Sequence, residues 1–282
     1  PRPSKKEERV IAFMMDFGKK LGFETIKDHV GNVIIKKPAS AGMENRKTIV
    51  MQSHLDMVHQ KNNDTIFDFD TQGIEMYVDG DWVRANGTTL GADNGLGVAT
   101  IMAILESKTI KHPAIEALFT IDEETGMTGA MGLQGGMLEG EILLNLDTEE
   151  DDEIDIGCAG GIDVTATAEY DEEDAPEIAV GYTITVKGLN GGHSGMDIHK
   201  GLGNANKMMN RLLAANKDVA HIASLAGGSL RNAIPRESTA TVVVKTQDIS
   251  EFVLQMEKIQ FNLVEEYRLL EPDLTIETQK ID

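Results

Sequence analysis

Three short apolar segments, 48–52, 115–121 and 142–146, each run directly into acidic or imidazole side chains. They are too short for ordinary globular helices, and 115–121 and 142–146 lack the strict alternation of a strand with one wet face. Segments of this kind read as buried strands of an α/β sheet, covered on both faces. His54-Leu55-Asp56 comes after the first, Asp122-Glu123-Glu124 after the second and Asp147 after the third. A fourth acidic motif, Gly91-Ala92-Asp93-Asn94-Gly95, opens the apolar helix pattern of 96–106. Open α/β sheets gather functional groups beyond the carboxyl ends of their strands. One imidazole and several carboxylates at that edge would repel one another unless cations sat between them. A metal site of the two-metal type is therefore expected.

Around these strands the patterning is regular. Val10, Ile11, Met14, Phe17 and Leu21 recur at helical spacing, which predicts an amphipathic helix over 6–21. Val33-Ile34-Ile35 reads as a short strand. Asp79-Gly80 reads as the turn of a hairpin between 76–78 and 82–83. The character changes at Gly157-Cys158-Ala159-Gly160-Gly161, read as a hinge between a metal-binding domain (1–160) and a second domain (161–282). Beyond it, 164–168 and 182–186 alternate with period two and predict half-exposed strands. From 182 the order is strand, helix (204–216), strand (219–225), strand (239–245), helix (250–270), strand (274–278). That is the βαββαβ order of a ferredoxin-like fold. The acidic stretches 149–153 and 171–174 read as solvated loops.

The chain has a formal net charge of −21, which argues against nucleic-acid partners and anionic membrane surfaces. Its longest apolar run, 98–105, is far too short to span a bilayer, and no basic-then-apolar leader opens it. Cys158 is the one cysteine, so no internal disulfide forms, as suits a reducing compartment. A soluble cytoplasmic protein is the expectation.

The motifs differ in how much they say alone. His-x-Asp on an extended chain puts both side chains on one strand face. His54 can then bind a metal while Asp56 orients its other ring nitrogen, although a lone pair of this kind is more often a surface hydrogen bond. Asp93 between glycines is either a helix cap or a ligand bridging two cations roughly 3.5–4 Å apart. Adjacent Glu123 and Glu124 diverge at a strand end, so one can bind metal while the other serves as general base; an exposed acidic turn is the alternative. Asp147 is a ligand or the start of an acidic loop. Gly188 to Gly195 lacks the Lys-Ser/Thr ending of a P-loop, and neither a G-x-S-x-G elbow nor an H-E-x-x-H helix occurs.

Taken together, His54-Leu55-Asp56-Met57-Val58, Gly87-Thr88-Thr89-Leu90-Gly91-Ala92-Asp93-Asn94-Gly95, Gly157-Cys158-Ala159-Gly160-Gly161, Gly191-Gly192-His193-Ser194-Gly195 and Leu230-Arg231-Asn232-Ala233-Ile234-Pro235 resemble the aminoacyl-histidine (Xaa-His) dipeptidase branch of the M20 metallopeptidases. The resemblance extends to about Lys245. It implies a zinc-peptidase-like α/β domain, a mostly parallel sheet with helices on both faces, joined to a ferredoxin-like lid. It further implies two divalent ions, Zn2+ before Mn2+ or Co2+, and hydrolysis of dipeptides in the cytoplasm. On this resemblance His54 and Asp147 hold one metal, Asp93 bridges, Glu124 holds the second, Glu123 is the general base and Asp56 orients His54. His193 would stabilise the oxyanion, Asn232 would contact substrate, and the lid would form a homodimer. The Asp93-Asn94 peptide is expected to be cis. The family closes its second site with a histidine after the lid. The sequence to Asp282 offers none, so an N- and C-terminally incomplete chain with one complete metal site and one lacking a ligand is expected. Other M20 hydrolases, such as a broad di- or tripeptidase or an N-acyl amino acid deacylase, share this machinery. A non-catalytic metal-binding or dimerisation module is the alternative of a different class.

Overall fold

The computed structural model describes residues 1–148, 152–157, 160–162 and 164–281, in two compact units, Pro1–Gly160 and Gly161–Asp282. The first unit holds α1 (Glu8–Lys20), β1 (Glu24–Lys27), β2 (Val33–Lys37), β3 (Ile49–His54), β4 (Met76–Asp79), β5 (Trp82–Ala85), α2 (Ala92–Glu106), β6 (Ile115–Thr120), α3 (Thr128–Gly132) and β7 (Ile142–Asn145). Its main sheet runs β1-β2-β6-β3-β7. The pairings β3–β6 and β3–β7 are parallel, and β1–β2 and β2–β6 antiparallel, so the sheet is mixed rather than mostly parallel. The predicted hairpin forms as β4–β5.

α1 buries Ile11 and Met14 against the sheet, with Glu8 in its first turn and Lys19 and Lys20 in its last, as the helix dipole favours. α2 adds Val98, Ile101 and Leu105 to the same core, which encloses Val33, Ile35, Ala117 and Phe119. The opposite face of the sheet, with Ile34, Val50 and Leu118, is covered by Leu133, Met137 and Leu138 from the segment after α3. Long helices thus cover one face and the segment after α3 the other. β6 is central and buried along its whole length, including Glu116, whose carboxylate meets Lys36 at 3.0 Å and accepts from the amides of Glu139 and Gly140.

Two expectations fail. The apolar run of β7 predicts a strand covered on both faces, yet Ile142, Leu143 and Leu144 are all exposed. Among the described residues β7 is the edge strand and pairs with β3 alone, so its apolar run does not reach the buried interior. The alternating segment 164–168 forms no strand. Alternation makes a strand only where a neighbour offers a ladder, and Val164 is 84% exposed. Cys158 and Ala159 of the predicted hinge, Glu149, Glu150 and Asp151 of the first acidic stretch, and Asp163 lie outside the described residues.

The second unit holds β8 (Ala179–Lys187), α4 (Ala205–Ala215), β9 (Ala220–Gly227), β10 (Ser238–Lys245), α5 (Ile249–Tyr267) and β11 (Thr275–Ile281). The sheet order is β11-β8-β10-β9, all antiparallel, which is the ferredoxin-like arrangement the element order predicts. β8 and β10 alternate buried with half-buried positions, and their inward residues pack on Met208, Leu212, Phe252 and Leu263 of the two helices. Asn204 caps α4 by accepting from the Lys207 amide at 3.1 Å.

Candidate metal centre

Parallel pairing of β3 with both β6 and β7 brings their carboxyl ends to one edge, with His54 opposite Thr120 and Gln52 opposite Asn145. His54 ends β3, Glu123 and Glu124 come a few residues after β6, and Asp147 comes just after β7. Asp93 enters from the start of α2, where Asp93 and Asn94 depart from helical dihedrals and the peptide joining them is cis.

The fully buried His54 is held between carboxylates. Its Nδ1 lies 3.2 Å from Asp56 Oδ1, and its Nε2 lies 3.0 Å from Asp93 Oδ1 and 3.7 Å from Asp147 Oδ1. Asp56, also fully buried, accepts from the amides of Glu123 (3.1 Å) and Glu124 (3.2 Å) and from the Ser4 hydroxyl (2.7 Å). One carboxylate therefore fixes the imidazole and the two glutamate-bearing residues together. Two sets of donor atoms converge closely enough to hold an ion: His54 with Asp93 and Asp147, and His54 with Glu123 and Glu124. The Asp93 side chain is 62% exposed and that of Asp147 24%, so the site opens to solvent. His193 and Asn232 lie in the second unit. His193 Nδ1 accepts from the amides of Gly195 and Met196, both at 3.1 Å, and the Asn232 carbonyl accepts from the Ser194 amide at 2.8 Å.

The electrostatics record crowded negative charge. Burial opposes a charged His54, but hydrogen bonds to Asp56 and Asp93, with Asp147 nearby, hold it up at about 10. Burial raises Glu124 to about 7, with the Asp93 charge adding to it. Glu123 and Asp147 also rise, first through burial and then through neighbouring carboxylates. Several carboxylates pushed toward neutrality around one imidazolium form a set that gains from added cations. Glu124 Oε1 is buried without a hydrogen-bond partner, an orphan that a cation would satisfy. One imidazole with carboxylates suits Zn2+, Mn2+ or Co2+. The residues fit divalent cations.

Some of what builds the site has no sequence pattern. Ser53 donates to Asn94 Oδ1 at 2.7 Å, tying β3 to α2. Gly97 lets α2 approach: a Cβ there would run into Asn94 Oδ1, Ser53 Oγ and the Leu146 carbonyl. Gly97→Ala is expected to destabilise the first unit by about 1–3 kcal/mol, as overpacked sites do. An unchanged midpoint in thermal unfolding would contradict this.

Residues 184–269 match the model of the M20 peptidase dimerisation domain. Over 251 residues the chain is 50% identical to the cytosol non-specific dipeptidase of Escherichia coli (strain K12), an alignment covering 88% of this chain and 52% of that protein. The crystal structure of aminoacylhistidine dipeptidase from Vibrio alginolyticus is 46% identical, with a TM-score of 0.57, covering 100% of this chain and 58% of that one. The second unit is similar to the M20 dimerisation domain, and the chain as a whole to these dipeptidases. The chain spans about half the length of the Escherichia coli relative. No described helix is long and apolar enough to cross a membrane.

Proposed function

We propose that this chain is an M20-type peptidase and serves divalent-metal-dependent hydrolysis of dipeptides, with Zn2+ as the metal and Xaa-His dipeptides among the substrates. The observation that carries this is the convergence of His54, Asp93, Glu123, Glu124 and Asp147 at one sheet edge. His54 and Asp147 would hold one ion, Asp93 would bridge, and Glu124 with its orphan oxygen would hold the other. When bound, such ions polarise the scissile carbonyl and make water a nucleophile near neutral pH. Glu123, half-buried with a raised pKa, takes the proton from the attacking water and passes it to the departing amine. Asp56 keeps the His54 ring turned toward Asp93. His193, accepting two amides at Nδ1, presents Nε2 as a donor, which suits an oxyanion, with Asn232 contacting substrate.

The peptidase dimerisation domain supports a homodimer formed through the second unit. Among the described residues β9 is a sheet edge, and it exposes Ile222 and Leu225. The relative's cytosolic label supports a cytoplasmic site of action. A panel of dipeptides, Xaa-His members included, tests the activity. Hydrolysis should require zinc, vanish on chelation and return on zinc addition. No turnover of any dipeptide at saturating zinc would overturn the reading and favour a non-catalytic module.

A further inference from the structure

The residues ahead of α1 have no periodic pattern, yet they reach the metal centre from behind. Pro3 bridges Met57 in parallel register, and the Met57 amide donates to the Arg2 carbonyl at 3.1 Å. Residues 2–4 therefore run beside the segment that leaves β3. This course puts the Ser4 hydroxyl 2.7 Å from Asp56 Oδ2, and Ser4 is itself buried. It also lays Arg2 across the start of α2, where Nη2 donates to the Gly91 carbonyl at 2.6 Å. Glycines at 91 and 95 leave room for this path. A Cβ at 95 would lie 2.8 Å from Arg2 Nη2, and one at 91 would lie 3.3 Å from Nη1.

We propose that Ser4 and Arg2 are positioning residues for the cations: residues 2–4 form a strap that fixes the two ligand-bearing arms relative to each other. One arm is Asp56 with His54, Glu123 and Glu124. Oδ1 of Asp56 faces the His54 ring and the Glu123 amide, while Oδ2 has the Glu124 amide at 3.2 Å and the shorter contact from Ser4. Losing the hydroxyl leaves Oδ2 with its longer donor alone, and rotation of the carboxylate would carry the imidazole with it. The other arm is the turn 91–94, whose carbonyl at 91 is pinned two residues before Asp93. Neither Ser4 nor Arg2 joins an apolar core, so their contacts serve these two arms. Partners behind a metal-ligating histidine commonly change metal affinity about 10–100-fold when removed.

This inference rests on the metal-dependent reading, and the experiment separates the two. Zn2+ alone is titrated into the full chain against a chromophoric chelator, and Co2+ spectra report ligand geometry. Ser4→Ala and Arg2→Met should each weaken zinc binding at least about 10-fold and alter the Co2+ spectrum. The melting point of the metal-free chain should fall by no more than a few degrees. In an Asp56→Asn background, Ser4→Ala should add little further loss, because the hydroxyl acts through that carboxylate. A wild-type chain that takes up no zinc sinks the metal-dependent reading and the strap with it. Zinc binding by wild type with equal binding by Ser4→Ala overturns the strap alone. So does full additivity in the Asp56→Asn background, or a Ser4→Ala chain that no longer folds without metal.

Discussion

Glu123→Ala is expected to abolish peptide hydrolysis while leaving zinc content close to that of the unaltered chain. A positioned general base contributes about 10²–10⁴-fold, and removing the carboxylate leaves no comparable group to take its place. Glu123 and Glu124 are adjacent, both half-buried and both shifted upward, so accessibility alone does not divide their roles. Their neighbours differ. Among the charges raising Glu124, Asp93 is the foremost, whereas for Glu123 it is Asp147. Glu124 also carries the orphaned buried oxygen. Glu124→Ala should therefore lose bound zinc, and Glu123→Ala should lose turnover with zinc retained. Steady-state rates with elemental analysis of both variants decide it. The inverse pattern exchanges the two assignments, and undiminished hydrolysis by Glu123→Ala removes the general base from the proposal altogether.

Legibility in the sequence depended on whether the cause was local. The 3.6-residue spacing from Val10 to Leu21 is a property of α1 itself, and α1 forms at Glu8–Lys20. The turn at Asp79-Gly80 carries its own conformational preference, and the hairpin forms around it, with Gly80 at positive φ. The second unit was legible because β8, β10 and the two helices each contribute a patterned face to one core. The exposure of β7 was not legible, because an apolar run says what a strand needs and not whether a neighbour supplies it. The alternation at 164–168 misled for the same reason. At the candidate metal centre, each ligand candidate could be named from its place beside an apolar segment. The bonds that assemble them could not. The Asp56 contacts to the 123 and 124 amides span 67 and 68 residues, and Ser4 stands in a stretch with no period at all. Gly97 looks like one small residue in a helix until Ser53 and Asn94 are seen beside it.

The second large effect is expected in the pH dependence of the metal-free chain. Between about pH 5 and 9 the acid groups that titrate at this edge and His54 have raised folded pKa values and outnumber the lowered Pro1 amine, which acts in the opposite sense. Glu124 stands at about 7 and His54 at about 10, and Glu123 and Asp147 are shifted the same way. A raised pKa means that the folded state holds its proton more tightly than the unfolded chain does. The stability this contributes is complete below the unfolded pKa, about 4.3 for Glu and 6.5 for His. It is lost as pH climbs through the folded value. Asp56, held at about 2, and Asp93, also lowered, act in the opposite sense, but their contribution is lost only as pH falls below about 4. The first unit should therefore melt lower at pH 8.5 than at pH 5.5 when metal is chelated. Glu124→Gln, which cannot titrate, should flatten that slope. Zinc must displace the protons that His54 and Glu124 hold, so its binding should tighten as pH rises, and bound zinc stabilises the fold by mass action. Melting curves with chelator and with saturating zinc should consequently diverge as pH rises. A metal-free melting point that climbs from pH 5.5 to 8.5 would show that these carboxylates do not crowd one another, and the electrostatic case for cations at this edge would go with it.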